Sequence, residues 1–187
     1  MGNLSEKNIL MVIPKNQFAE DELFETRKLL EASGARVVVL SPKGKEAVGM
    51  NKTRFQPHGM LIDWNRQAGI YRKYDAVLLV GGKGAKKSLW PDPVLPQILT
   101  DHYRAGRVVG ALGLSVAVLA RASFLNEKSA SGPGDEVFLQ EIEAGGGYHS
   151  EDGVTCHERI VTARGGEDAQ EFVKAVVRVL LEYVENA

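Results

Sequence analysis

An α/β fold with a mainly parallel central sheet is predicted for this chain, on three observations. Short β-branched runs recur along it, "NILMVIP", "ARVVVL", "DAVLLV", "RVVGAL" and "RIVTA". The runs are almost continuously apolar, as strands covered on both faces must be, and helical patterns lie between them. The 187 residues suit one core of ordinary domain size, so 1–187 is expected to fold as a single domain, without internal repeats.

The first run is followed by a helical segment from Glu20 to Ser33. Acidic residues fill its first turn, Leu23, Phe24, Leu29 and Leu30 are its apolar positions, and Gly34 stands where a helix commonly ends. A strand follows within two residues. The stretch "SPKGKEAVGMNKTRFQPHGMLIDWN" is rich in turn residues and carries Trp64, which reads as a small excursion between strands. "GGKGAKKS" is a glycine-rich turn leading into a helix. "RVVGALGLSVAVLARA" is a buried strand, a sharp break at Gly113 and an apolar helix, the build of a nucleophile elbow. Phe172, Val173, Val176, Val177, Leu180 and Val184 recur at helical spacing after a polar start at Glu167 and Asp168, so a C-terminal helix should pack on the sheet.

Composition narrows the function. Lys plus Arg number 23 against 24 Asp plus Glu, a formal net charge of −1, so nothing draws the chain generally to nucleic acid or to an anionic membrane. No run approaches the ~18 apolar residues of a membrane span, and "MGNLSEKNILMVIP" carries no basic leader region. The one cysteine, Cys156, forms no disulfide framework and suits a reducing compartment. A cytoplasmic protein that meets small molecules or other proteins is expected.

Ligands of open α/β sheets lie beyond the C-terminal strand ends, so chemistry is expected in the segments that follow the strands. After the first strand, Glu20 and Asp21 read as carboxylates offsetting a helix dipole, and Glu22 as a site candidate. In "GGKGAKKS" the amides of Gly81 and Gly82 could face the crevice and hold an anion or oxyanion, or the glycines could simply serve a tight turn. The stretch is no phosphate loop, because Lys86 stands where the second glycine is needed. The elbow position, Gly113, has no side chain. Ser115, two residues on, is a weak nucleophile candidate with no adjacent His or Lys to take its proton. The histidines 58, 102, 149 and 157 are scattered, and on a strand Cys156 and His157 would face opposite ways. No metal site and no cofactor are expected, and Cys156 reads as a structural thiol.

Four stretches together carry a resemblance: "ILMVIPKNQFAEDELFETRKLLEASGARVVVLSPKG", "YDAVLLVGGKGAKKSLWPDP", "ALGLSVAVLA" and "IVTARGGEDAQEFVKAVV". In order and spacing the chain resembles the ThiJ/PfpI family, which includes protein deglycases and PfpI-type intracellular proteases, within the class I glutamine amidotransferase-like superfamily. The resemblance implies a flavodoxin-like three-layer sandwich, a cysteine at the elbow, an acidic partner from the first helix, and a homo-oligomer, a dimer in the first place and a hexamer in the second. The family's acid falls on Glu22 and its glycine pair on Gly81 and Gly82. Its elbow usually reads Ala-Ile-Cys-His-Gly-Pro, whereas this chain reads Ala111, Leu112, Gly113, Leu114, Ser115, Val116. Cysteine and histidine are both missing, so thiolate chemistry has no nucleophile here. A non-catalytic member is expected, a pseudoenzyme whose altered crevice, with Glu22, Gly81, Gly82, Gly113 and Leu114, binds a small molecule, or whose surface binds a protein. The alternative is a hydrolase or a glyoxalase- or deglycase-like enzyme that recruits another group.

Overall fold

The computed structural model describes residues 2–184, apart from the Val184 side chain. Its strands are β1 (Asn8–Val12), β2 (Arg36–Ser41), β3 (Ala47–Val48), β4 (Arg54–Phe55), β5 (Gly59–Met60), β6 (Ala76–Leu79), β7 (Val108–Leu112), β8 (Ser129–Ala130), β9 (Tyr148–His149), β10 (Val154–His157) and β11 (Ile160–Ala163). Its helices are α1 (Glu20–Ala32), α2 (Ala85–Ser88), α3 (Leu95–Arg104), α4 (Val116–Arg121), α5 (Glu136–Ala144) and α6 (Ala169–Val184). Seven strands form the main sheet in the order β10-β11-β7-β6-β1-β2-β5. All its pairings are parallel except that of β10 with β11. The small pairs β3–β4 and β8–β9 stand apart.

Alternation along the strands divides the core into two halves. Leu10, Val12, Val77, Leu79 and Val109 face α3, α4 and α5, where Ile98, Leu99, Leu119 and Phe138 meet them. Ile9, Met11, Ala76 and Leu78 face α1 and α6, where Leu23, Leu30, Phe172, Val176 and Leu180 close the other side. Helices, sheet and helices thus form the three layers of a flavodoxin-like sandwich. Burying each large side chain of α6 contributes about 1.5–3 kcal/mol, so this helix holds its layer through the apolar stripe read from the sequence. Val184, the last position of that stripe, has its side chain outside the described residues.

The five apolar runs form β1, β2, β6, β7 and β11, the parallel centre of the sheet. The first helix ends at Ala32, and Gly34, at φ +96°, turns the chain toward β2. The excursion folds into the β3–β4 hairpin, the edge strand β5 and a 3-10 segment at Leu61–Arg66. The helix after "GGKG" is a single turn.

Strand order and register place the site. From β1 the chain winds outward to β2 and β5, then returns to β6 on the other side of β1, so the strand order reverses between β1 and β6. Val12 pairs with Leu79, Leu79 with Ala111, and Leu112 with Ala163. The loops after β1, β6, β7 and β11 therefore emerge at one level, around the crevice such a reversal leaves.

Candidate functional site

The loops after β1 and β6 are tied reciprocally. The Ala19 amide, just before α1, donates to Gly81 O at 3.0 Å. The Gly81 amide donates to Glu22 Oε2 at 2.6 Å. This second bond corrects the anion-hole expectation for the glycine pair: the Gly81 N–H is already engaged by the carboxyl of Glu22. Gly82 lines the crevice, but its φ of +106° and its close approach to the Gln17 carbonyl and Ala19 amide leave no room for a Cβ. The tight turn explains this glycine.

After β7 the chain breaks where the sequence indicates. Leu112 is extended, Gly113 has φ +58°, and a 3-10 turn over Gly113–Ser115 runs into α4. Two bonds fix the elbow. Ser115 Oγ, fully buried, donates to Val80 O at 2.6 Å, and Trp90 Nε1 donates to Leu114 O at 2.7 Å. Ser115 is thereby spent on the end of β6 and does not line the crevice. A Cβ at Gly113 would overlap Glu22 Oε1. The acid stands over the position from which an elbow nucleophile projects.

The crevice has a volume of about 340 Å³. Glu22, Gly82, Gly113 and Leu114 line it. Ala19, Asp21, Met50, Pro133, Arg164, Gly165, Gly166 and Glu167 complete it. Sequence reasoning did not single out Met50, Pro133 or Arg164 for the site. The stretch "VTARGG" was visible, yet nothing in it says that its arginine lines the same crevice as Asp21 and Glu22 of the first helix. Arg164 pairs with Glu167 at 2.8 Å and Asp168 at 3.1 Å.

Glu22 is 5% exposed, and burial pushes its pKa up to about 8. The Gly81 amide pulls it down, and the charge of Asp21 adds to the rise. At neutral pH the carboxyl is largely protonated, with Oε2 accepting from Gly81. Oε1 faces the crevice and has no hydrogen-bond partner among the described residues. This geometry can hold a ligand or carry a proton. It offers no side chain at the elbow for covalent attack.

Glu20 does more than offset a dipole. Its Oε2 accepts the amides of Asn51 at 2.7 Å and Thr53 at 3.2 Å, pinning the loop that brings Met50 to the crevice. Burial alone would raise its pKa, but these amides outweigh burial and hold it below the usual carboxylate value.

The histidines lie elsewhere. His102, fully buried, donates from Nδ1 to Ile98 O at 2.7 Å and accepts the Tyr74 amide at Nε2. His58 Nδ1 accepts the Val39 amide, His149 meets Gly132 O, and His157 meets Ser129 Oγ. Cys156 and His157 do face opposite ways from β10: the thiol packs on the α6 side and His157 reaches β8. Cys156 is half-buried, in an edge strand. Among the described residues no group of three or more His, Cys, Asp or Glu could hold a metal. A larger depression, about 540 Å³, opens beside Arg121 and Glu141, but these two are paired to each other at 2.7 Å.

A family model described as the DJ-1/PfpI family matches residues 7–179. The chain belongs to the DJ-1/PfpI family. An uncharacterized protein of Methanocaldococcus jannaschii is 30% identical over 178 residues, 95% of this chain and 84% of that protein. Glutathione-independent glyoxalase DJR-1.2 of Caenorhabditis elegans is 23% identical over 176 residues, 94% of this chain and 90% of that protein. Among solved structures, a ThiJ/PfpI domain protein from Brachyspira murdochii superposes with a TM-score of 0.84 at 25% identity, covering 95% of this chain and 98% of that one. Drosophila melanogaster DJ-1beta gives 0.74 at 20% identity, covering 100% and 97%. At the break after β7 the residue is Gly113, and Glu22 of α1 lies over it.

Proposed function

We propose that this DJ-1/PfpI protein binds a small ligand in the Glu22–Gly113 crevice and performs no covalent catalysis. One observation carries the reading: Gly113 keeps the left-handed backbone of an elbow while the Glu22 carboxyl fills the space above it. A nucleophile is not merely absent, since its place is taken. The changed residues Gly113, Leu114, Ser115 and Val116 are adjacent, and the elbow they form is well tied, which supports a site remodelled as a unit. A homo-oligomer, most simply a dimer, and a cytoplasmic place of action complete the reading. No helix among the described residues is long and apolar enough to cross a membrane.

The second reading is an enzyme that works through Glu22. It is favoured by a buried carboxyl that titrates near neutrality, the property of a general acid or base, and by the glyoxalase activity named for DJR-1.2. Assays of methylglyoxal consumption and peptide hydrolysis on the purified protein separate the two. The binding reading expects no turnover above a heat-denatured control. Turnover that disappears in Glu22→Gln overturns it.

A further inference from the structure

The identity of the ligand can be narrowed from the charges around Glu22 Oε1. Glu22 Oε2 is satisfied by Gly81. Oε1 is the unpartnered end of a side chain that is 95% buried, and it opens on the crevice. A ligand donor that reaches this atom would bond it beside the apolar walls of the crevice, where a hydrogen bond to a charged group is strong.

The charges facing Glu22 come from every segment packed around it. On α1, Asp21 lies beside it. After β11, Arg164 is present but already shared between Glu167 and Asp168. The elbow contributes only Gly113 and Leu114, and the Gly49–Thr53 loop contributes Met50. The loop after β6 bonds Glu22 through Gly81 and carries Lys83 next to Met50, but Lys83 is not among the residues that line the crevice. From the segment before α5, Pro133 reaches the crevice, while Asp135 pairs with Lys86 at 3.0 Å. Besides Glu22, the lining therefore holds two carboxylates, Asp21 and Glu167, against the single guanidinium of Arg164, whose charge is shared with Asp168 behind it. An anion would enter against this field. A cation would enter with it, and would find in Glu22 a carboxyl able to ionise as it arrives. Ala19, Met50, Leu114 and Pro133 supply apolar walls beside the bare backbone of the glycines.

The geometry points to a small primary ammonium group on a short aliphatic stem as the ligand, with the ammonium donating to Glu22 Oε1 and the stem lying against Leu114, Met50 and Pro133. The inference rests on the binding reading above and specifies its ligand. Because burial holds Glu22 protonated up to pH about 8, capture of an ammonium must expel that proton. The cation replaces the proton, and no covalent bond changes besides the O–H bond of the carboxyl.

Propylammonium chloride, acetamide and sodium acetate, matched for ionic strength, test this on the whole protein. The readouts are titration calorimetry and the NMR shifts of the Gly81 and Gly113 amides. Propylammonium should bind saturably and shift both amides. Its affinity should rise roughly tenfold per pH unit from pH 6 to 8 and then level off, since an alkylammonium stays charged throughout that range. At pH 7, calorimetry in buffers of different ionisation enthalpy should show close to one proton released per amine bound. Glu22→Gln should lose the binding, and Arg164→Gln should strengthen it.

Binding of acetamide or acetate at these amides without binding of propylammonium overturns the ammonium assignment and leaves the binding reading intact. Propylammonium binding that is independent of pH, or silence of both amides toward every probe, overturns it as well. Failure of the binding reading looks different: a carbonyl or peptide substrate is consumed and does not merely saturate a site.

Discussion

Gly113 ends β7 in left-handed backbone, φ +58°, directly under the Glu22 carboxyl. Alanine in left-handed backbone costs about 1–2 kcal/mol, and its Cβ would also displace Glu22. Gly113→Ala should therefore lower stability in denaturant titration by at least ~1 kcal/mol, whereas an unchanged or raised midpoint would mean the elbow is not strained. Gly113→Cys should incur a similar loss and set a thiol against the Glu22 carboxyl, where peroxide should oxidise it faster than half-buried Cys156. Glu22 itself should leave a mark on stability. Its folded pKa, about 8, lies above the 4.5 of an ordinary glutamate, so between these values the folded state binds the extra proton. Its contribution is complete at low pH and is lost as pH rises toward 8, with a slope on the order of 1 kcal/mol per pH unit. Unfolding measured from pH 5 to 9 should show that slope in the native sequence, and Glu22→Gln should flatten it. The burial behind this shift was not legible beforehand, because an acidic residue in a first helical turn is ordinarily exposed.

Among the elements, legibility followed hydrophobic pattern. The central strands and the helices α1 and α6 were readable because covered strands must be apolar throughout and surface helices must carry a stripe. Strand β10, "VTCH", is half-buried at every position, and β5 is two residues long at the opposite edge. Edge strands of this kind need no apolar run, so sequence pattern says little about them. The excursion was recognisable, but its attachment was not, since the attachment depends on Glu20 reaching the amides of Asn51 and Thr53 across 31 and 33 residues. Hydrogen bonds to a charged group contribute about 1.5–3 kcal/mol. Glu20→Ala should accordingly release the 49–53 loop, speeding hydrogen exchange at Asn51 and Thr53 more than at the centre of β1. Equal exchange in the two proteins would show that the β3–β4 hairpin holds the loop without help.

For the molecule as a whole, the question is whether the fold described is complete in one chain. Two features at one edge suggest that it associates. Strand β5 ends the sheet, and Met60 within it and Ile62 just after it are 39% and 61% exposed. A sheet edge with apolar side chains beside it readily pairs with another copy unless something covers it. A second chain applied by a two-fold axis would cover the same residues on both partners, and a specific interface should bury more than ~1,000 Å². Light scattering at micromolar concentration should therefore return a mass near twice the 20.4 kDa of the chain. Ile62→Glu would place a charge in such an interface and should shift the mass toward the monomer without changing the elbow or the crevice. If the native protein scatters only as a monomer, the association is wrong. If it is a dimer that Ile62→Glu leaves intact, the two copies meet on another face and β5 remains a free edge.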